Sequence, residues 1–459
     1  MNREENIYTG IWYIKRKKVS GTLIFSKITG IHLEITSEKK IEIPENKIRY
    51  IPGITNKNQN ITLFNNELLY GSIKTEHKTY YTYRFSSSYI LEDSFYNNQK
   101  KILKFDYISV YFESTNKWLN RNTFETKLKK NKEHITITEM KPISLKLKNI
   151  DSEISIFNSI GYNFKDNQTF SYESKFGFEI KPTSSKELDW FLSKVYDLQN
   201  FLLLISDFYF PVIKLRGKGE INENSINIIY LQINNKTEKQ IHQNDILFPY
   251  QTISKKITKI ANSWFIISEK IRPTIDLLFA SIVNNSEYQN FTFLALTQAL
   301  ENLHRILYSN QRYYPDKEFD IIKKSIMDNL PKELKSDYKS SLTNRIKYSN
   351  EFSLRKRLKN LFTDLSSDLQ SLVFQNDLEM NILINTLVDT RNYYTHYSKE
   401  PESKIISYLD LYKINKFLII LIKMLLLKQI GFSDKEIFES LKTKRRLKPF
   451  FLPTRRTNN

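Results

Sequence analysis

Two periodicities divide this chain of 459 residues. From Ile7 to about Ile180, apolar and polar positions alternate in short runs. Thr22–Phe25, Ile31–Ile35, Tyr80–Phe85, Ile108–Phe112 and Phe176–Ile180 are β-branched or aromatic and predict strands. Gly10, Gly21, Gly30, Pro52-Gly53 and Gly71 punctuate them as turns. Short strands so spaced predict an antiparallel sandwich or a barrel-like sheet, and the pattern alone does not choose between them. The period then changes. Leu188, Phe191, Leu192, Val195, Leu198, Phe201, Leu202 and Ile205 recur at helical spacing, behind Ser184–Glu187 read as a capping box. Pro211–Leu215 and Ile226–Ile233 return to strand character, and the polar stretch Asn234–Asp245 reads as a boundary.

Past Gln251 the helical period dominates. Phe293, Leu294, Leu296, Leu300, Leu303 and Leu307 mark one apolar face, with Ser286–Gln289 as its candidate cap. Another helix begins at Ser353, a third covers 377–395, and a strongly apolar one runs over 403–429 and closes at Gly431. These predict an up-and-down bundle of four or more long helices. The fold class is therefore α+β and multidomain. A β-rich region over 1–182 comes first, a helix with strands over 183–250 completes it, a bundle occupies 251–448, and a basic tail covers 449–459.

Composition narrows the chemistry. There is no cysteine, which excludes structural disulfides, thiolate zinc sites and cysteine nucleophiles. The first residues contain no apolar run of the kind that directs secretion, and the longest apolar run, Phe417–Leu427, is interrupted by Lys423 and is too short to span a bilayer. A cytoplasmic protein without a membrane partner is expected. The formal net charge of +20 favours an anionic partner such as nucleic acid. Its weight is reduced by the general loading of the chain with Lys, Asn and Ile. His32, His77 and His134 lie apart with no metal-ligand spacing, and no acidic cluster stands out, so no metal or other cofactor is expected.

The candidate chemistry lies at the end of the 377–395 helix. Arg391, Asn392 and His396 fall within six residues, among Tyr393, Tyr394 and Tyr397. An imidazole that titrates near neutrality can move a proton, and a guanidinium can hold phosphate oxygens. The plainer reading of the spacing is a helix end whose cations meet carbonyls and the helix dipole. The surroundings decide between the two. Leu296–Arg305, Ser353–Leu361 and Val388–Tyr397, in this order, resemble the ApeA-like branch of the HEPN superfamily. Gly21–Phe25, Pro52–Thr55 followed by Ile61–Phe64, and Ser109–Leu119 resemble the β-rich domain that precedes HEPN in that branch.

The resemblance implies a helical bundle that pairs with a second copy, as a homodimer or higher homo-oligomer. It also implies metal-independent endoribonuclease activity that leaves 2′,3′-cyclic phosphate and 5′-hydroxyl ends, used in anti-phage defence by abortive infection. His396 would serve as general base or acid, Arg391 would stabilise charge on the transferring phosphate, and Asn392 would orient the imidazole or bind phosphate. Glu301 is a candidate partner of Arg391 or a helix-register residue. Tyr393, Tyr394 and Tyr397 are candidates for stacking on bases or for packing, and Arg355, Arg357 and Lys399 for contact with RNA. The RNA partner includes tRNA among its candidates, and the N-terminal half is a candidate sensor of a phage-derived trigger. A non-catalytic HEPN module that binds RNA or a nucleotide, or that only dimerises, is the alternative. On an ideal helix, residues five apart diverge by roughly 140°. Either the helix unwinds near Thr395, or a second protomer completes the set.

Overall fold

A computed structural model describes residues 5–451, except 16, 27, 44–45, 76–77, 130–131, 165–169, 220–224, 231–240, 284–287, 310, 332 and 397–403. It divides into two compact units, Met1–Asn262 and Ser263–Asn459. The expected boundary at Asn234–Asp245 lies mostly outside the described residues.

Unit 1 opens with six antiparallel strands. They are β1 (Glu5–Ile14), β2 (Lys17–Ser26), β3 (Gly30–Ser37), β4 (Lys47–Thr55), β5 (Asn60–Thr75) and β6 (Thr79–Glu92). Their order is β6-β3-β2-β1-β4-β5, and β5 also pairs with β6, so the sheet closes on itself as a barrel. Closure decides between the sandwich and the barrel. It buries one residue set from every strand, including Trp12, Leu23, Leu33, Ile51, Leu63 and Phe85. Glycine is required where backbone and ring approach most closely. A Cβ on Gly53 would overlap the Trp12 indole, and one on Gly10 would overlap the Ile54 carbonyl.

The sheet continues beyond the barrel. It takes in β7 (Lys104–Phe112), and helix α1 (Thr115–Leu119) follows. A separate hairpin of β8 (Phe124–Lys129) and β9 (Lys132–Ile137) precedes β10 (Ile143–Leu147), β11 (Ser152–Phe164), β12 (Phe170–Pro182) and the short β13 (Lys186–Glu187). Helix α2 (Leu188–Ser206) is followed by β14 (Val212–Gly219) and β15 (Ile226–Tyr230). The order β10-β11-β12-β7-β14-β15 joins the barrel where Ile228 lies opposite Leu91 of β6. The expected capping box of α2 does not form. Glu187 is the N-cap and its side chain makes no capping bond, while Ser185 donates to Asp106 Oδ1 at 2.7 Å. Lys186 and Glu187 pair with β7 instead, so the helix starts too late for Ser184 to cap it.

Helices α3 (Tyr250–Ile253) and α4 (Ile257–Lys270) come next, and α4 contains the division between the units. Unit 2 holds α5 (Arg272–Val283), α6 (Gln289–Leu307), α7 (Asp316–Asp328), α8 (Ser336–Tyr348), α9 (Leu354–Thr363) and α10 (Ser367–Val373). It ends with α11 (Asp377–His396), α12 (Tyr408–Gln429) and α13 (Asp434–Thr443). Helix α6 touches α5, α9, α11 and α12. Helix α12 is buried at nearly every position from Phe417 to Leu427, as befits a central helix. The expected caps diverge. Ser353, where a helix was expected to begin, is the N-cap of α9 and accepts from the Lys356 backbone N–H, whereas Ser286 lies outside the described residues. Among the described residues no helix is long and apolar enough to cross a membrane.

Candidate functional site

Helix α11 runs unbroken from Asp377 through His396, so of the two ways to reconcile Arg391 with His396, unwinding near Thr395 is not taken. Its inner face is Met380, Leu383, Ile384, Leu387 and Val388, all buried. That stripe seats the helix and leaves its last turn to the polar residues. Arg391 and Asn392 are half-buried and His396 is exposed. Arg391 Nη1 donates to Asn392 Oδ1 at 3.2 Å, which draws the guanidinium toward Asn392. Asn392 precedes His396 by four residues, ~40° around the helix, so amide and imidazole share one side. The Thr395 hydroxyl donates back to the Arg391 carbonyl at 2.7 Å and closes the last turn. His396 makes no hydrogen bond to another described residue.

The tyrosines divide. Tyr394 meets Phe293 of α6 edge-on, with ring centroids 6.5 Å apart, and Tyr393 meets Tyr394 at 5.2 Å. Burial, reinforced by Tyr393 and Tyr408, raises the Tyr394 phenol above its ordinary value. Tyr394 therefore anchors the helix end to the bundle. Tyr397 and Lys399 lie outside the described residues. Thr390, wholly buried, accepts from the Ile406 N–H at 3.0 Å and ties the chain beyond the motif back onto α11.

A second polar cluster lies between α6 and α9. Glu301 pairs with Arg305 at 3.0 Å, one turn along its own helix, and this is where its carboxylate is engaged. Arg305 also reaches Glu351 at 2.6 Å. Arg357, expected to contact RNA, is only 3% exposed; it meets Glu351 at 3.3 Å and the His304 Nδ1 at 3.3 Å. Its guanidinium is thus held inside the bundle, because it falls on the same side of α9 as Leu358, Leu361 and Phe362. A guanidinium can only donate, so Nδ1 of His304 must carry the lone pair and Nε2 the proton. Asn360 Nδ2 lies 3.3 Å from Nε2; with the proton on Nε2 this contact becomes a hydrogen bond only when the amide is turned so that its oxygen faces the ring. Burial first, then Arg357 and Arg305, push the His304 pKa down to about 4, against a weaker opposing pull from Asp364 and Glu301. Tyr308 stacks on the same imidazole at 4.6 Å and bonds Asp364.

Arg355 faces outward and approaches Asp389 of α11, Nη2 to Oδ1 3.8 Å. Asp389 and Thr390 were not singled out by sequence, although Asp389 stands seven residues before His396 and so shares its side of the helix. Among the described residues no group of three or more His, Cys, Asp or Glu could hold a metal ion.

Comparison with known proteins adds two findings. The family described as Apea-like HEPN matches residues 294–436, a span that contains both polar clusters and the Arg391–His396 turn. The family described as ApeA N-terminal domain 1 matches residues 7–264, which spans the barrel and its extended sheet. No curated protein and no solved structure matches the chain.

Proposed function

The chain belongs to the ApeA-like HEPN family, and from that premise we propose that its helical unit is a metal-independent endoribonuclease of anti-phage defence. The observation that carries the reading is the state of the α11 end. It offers an exposed imidazole with no hydrogen bond to another described residue, and an arginine–asparagine pair four to five residues earlier on the same helix. A proton carrier needs that access to substrate.

In this reading His396 removes the ribose 2′-OH proton, the 2′-oxygen attacks phosphorus, and the bond to the 5′-oxygen breaks. A second imidazole or water returns a proton to that oxygen. The products are a 2′,3′-cyclic phosphate and a 5′-hydroxyl. Arg391 stabilises the charge that grows on the non-bridging oxygens, and Asn392 holds guanidinium or phosphate in register. A straight α11 separates Arg391 from His396 by roughly 140°, which favours pairing of two copies so that each contributes to a shared cleft. Unit 1 would then sense or restrain, with a phage-derived molecule as trigger, and the protein would act on cytoplasmic RNA.

The test is cleavage of total RNA, with tRNA as a separate substrate, by the purified chain in EDTA, wild type beside His396→Ala. Cleavage by the wild type alone, with cyclic-phosphate ends, supports the proposal. Equal cleavage by both overturns the role of His396. RNA binding that depends on Arg391 but never leads to cleavage, even after co-expression with phage, would favour the non-catalytic module.

A further inference from the structure

Helix α9 has two opposed faces. Inward it buries Arg357, Leu358, Leu361 and Phe362, and outward it exposes Arg355, Lys356 and Lys359. On an ideal helix Lys359 lies ~40° and Lys356 ~100° from Arg355, so the three cations cover one side. That side meets α11 at the charged contact of Arg355 with Asp389. On α11, Asp389 and His396 differ by ~20° around the axis and ~10 Å along it, with Asn392 between them. The cationic face of α9 thus begins about two helical turns from the imidazole.

We propose that α9 is the track for the phosphates flanking the cleaved bond, and that Asp389 is a built-in competitor which holds Arg355 while RNA is absent. The inference rests on the ribonuclease reading and deepens it, because it assigns the route of the substrate backbone and a check on its entry. Charge decides the direction. Arg355, Lys356 and Lys359 supply three cations against the carboxylate of Asp389 on the side of α11 that carries His396. A polyanion can outbid one carboxylate for Arg355, since the contact is exposed and long, and such pairs are worth little in water. Asp389 also repels any phosphate that approaches His396 from this side. Its removal therefore frees a cation and deletes a repulsion together.

The test measures binding of a short single-stranded RNA at several salt concentrations, in the His396→Ala background so that the ligand persists. Asp389→Asn is expected to tighten binding by about threefold to tenfold, and Arg355→Gln and Lys359→Gln to weaken it for all sequences. Each lost phosphate contact should reduce the slope of log affinity against log salt by about 0.7, the single-strand value. In the Arg355→Gln background, Asp389→Asn should give a smaller gain, because only the repulsion remains to be removed. Misfolding cannot explain a variant that binds more tightly. RNA cleavage or affinity in the parent chain that is indifferent to all three substitutions overturns this inference and leaves the nuclease reading standing. A parent chain with neither affinity nor cleavage overturns both.

Discussion

His304 and His396 belong to the same helical unit and are held in opposite ways. His304 is fully buried, stacked on Tyr308 and met at its two ring nitrogens by Arg357 and Asn360. His396 is exposed on the last turn of α11. The contrast teaches that a histidine beside arginines is not thereby a candidate catalyst. At His304 the neighbouring guanidinium occupies the lone pair a general base would need, and burial disfavours the proton a general acid would carry. At His396 neither restraint is present among the described residues. The bundle thus keeps a structural imidazole and an available one on different helices.

The largest expected effect separates these two roles. His396→Ala should lower RNA cleavage by about 10²–10⁴-fold, the range of one acid–base group, and leave thermal unfolding within ~0.5 kcal/mol of wild type. Kinetics and calorimetry on one preparation check both halves. A variant that lost activity and stability together would place His396 with His304 and dissolve the contrast.

Next in size is the buried side. Arg357 satisfies Glu351 and the His304 lone pair at once, so Arg357→Ala leaves a buried acceptor without its donor. Glu351 keeps Arg305, so the cost is that of a buried acceptor left unsatisfied, about 1–3 kcal/mol, readable as a lower denaturation midpoint in urea. Arg355→Ala, two residues earlier but exposed, should cost under ~1 kcal/mol. If the two substitutions were equal, the assignment of inner and outer faces to α9 would be wrong.

Acid sharpens the comparison further. The His304 pKa is held at about 4, whereas an unfolded histidine titrates near the ordinary 6.5. The native state therefore keeps His304 neutral over a range in which the unfolded chain binds a proton. Stability is fully retained above about pH 6.5, falls as pH drops through that window, and levels off below about 4, a loss on the order of 3 kcal/mol from this group. Urea midpoints between pH 7 and 4 should show the loss, and His304→Gln should flatten it whatever it does to absolute stability. A slope that survived the substitution would assign acid sensitivity to other groups.

Much of this was legible in the sequence, and the failures have physical reasons. Alternation located the strands because one face of each barrel strand is buried, and the helical period located α11 because its inner stripe is apolar. Barrel closure was not legible. It depends on the long pairing of β5 with β6, including an irregularity between Leu68 and Tyr70, and no local pattern encodes which strand returns to which. Arg391, Asn392 and His396 could be singled out as candidates because they are near neighbours in sequence, and the structure places them at the end of α11. Arg357 was misplaced because its charge was read before its position: Leu354, Leu358 and Leu361 flank it at helical spacing, which already puts it inward. Glu301 had Arg305 four residues on, the ordinary helical partner, and the structure takes that nearest option.

The smallest expected effect concerns how the motif end is held. Thr390 is wholly buried one residue before Arg391, and its hydroxyl accepts from the Ile406 N–H just ahead of α12. Thr390→Val keeps the shape but removes the acceptor, which strands a backbone donor at a buried position. A cost of about 1–2 kcal/mol in global stability is expected. The informative readout is local. If this bond fixes the return of the chain beside the Arg391–His396 turn, hydrogen exchange at Ile406 should accelerate well beyond the amides of Leu421 and Ile422 in the centre of α12. Equal acceleration along α12 would mean that Thr390 supports the bundle as a whole and not the segment that carries the motif.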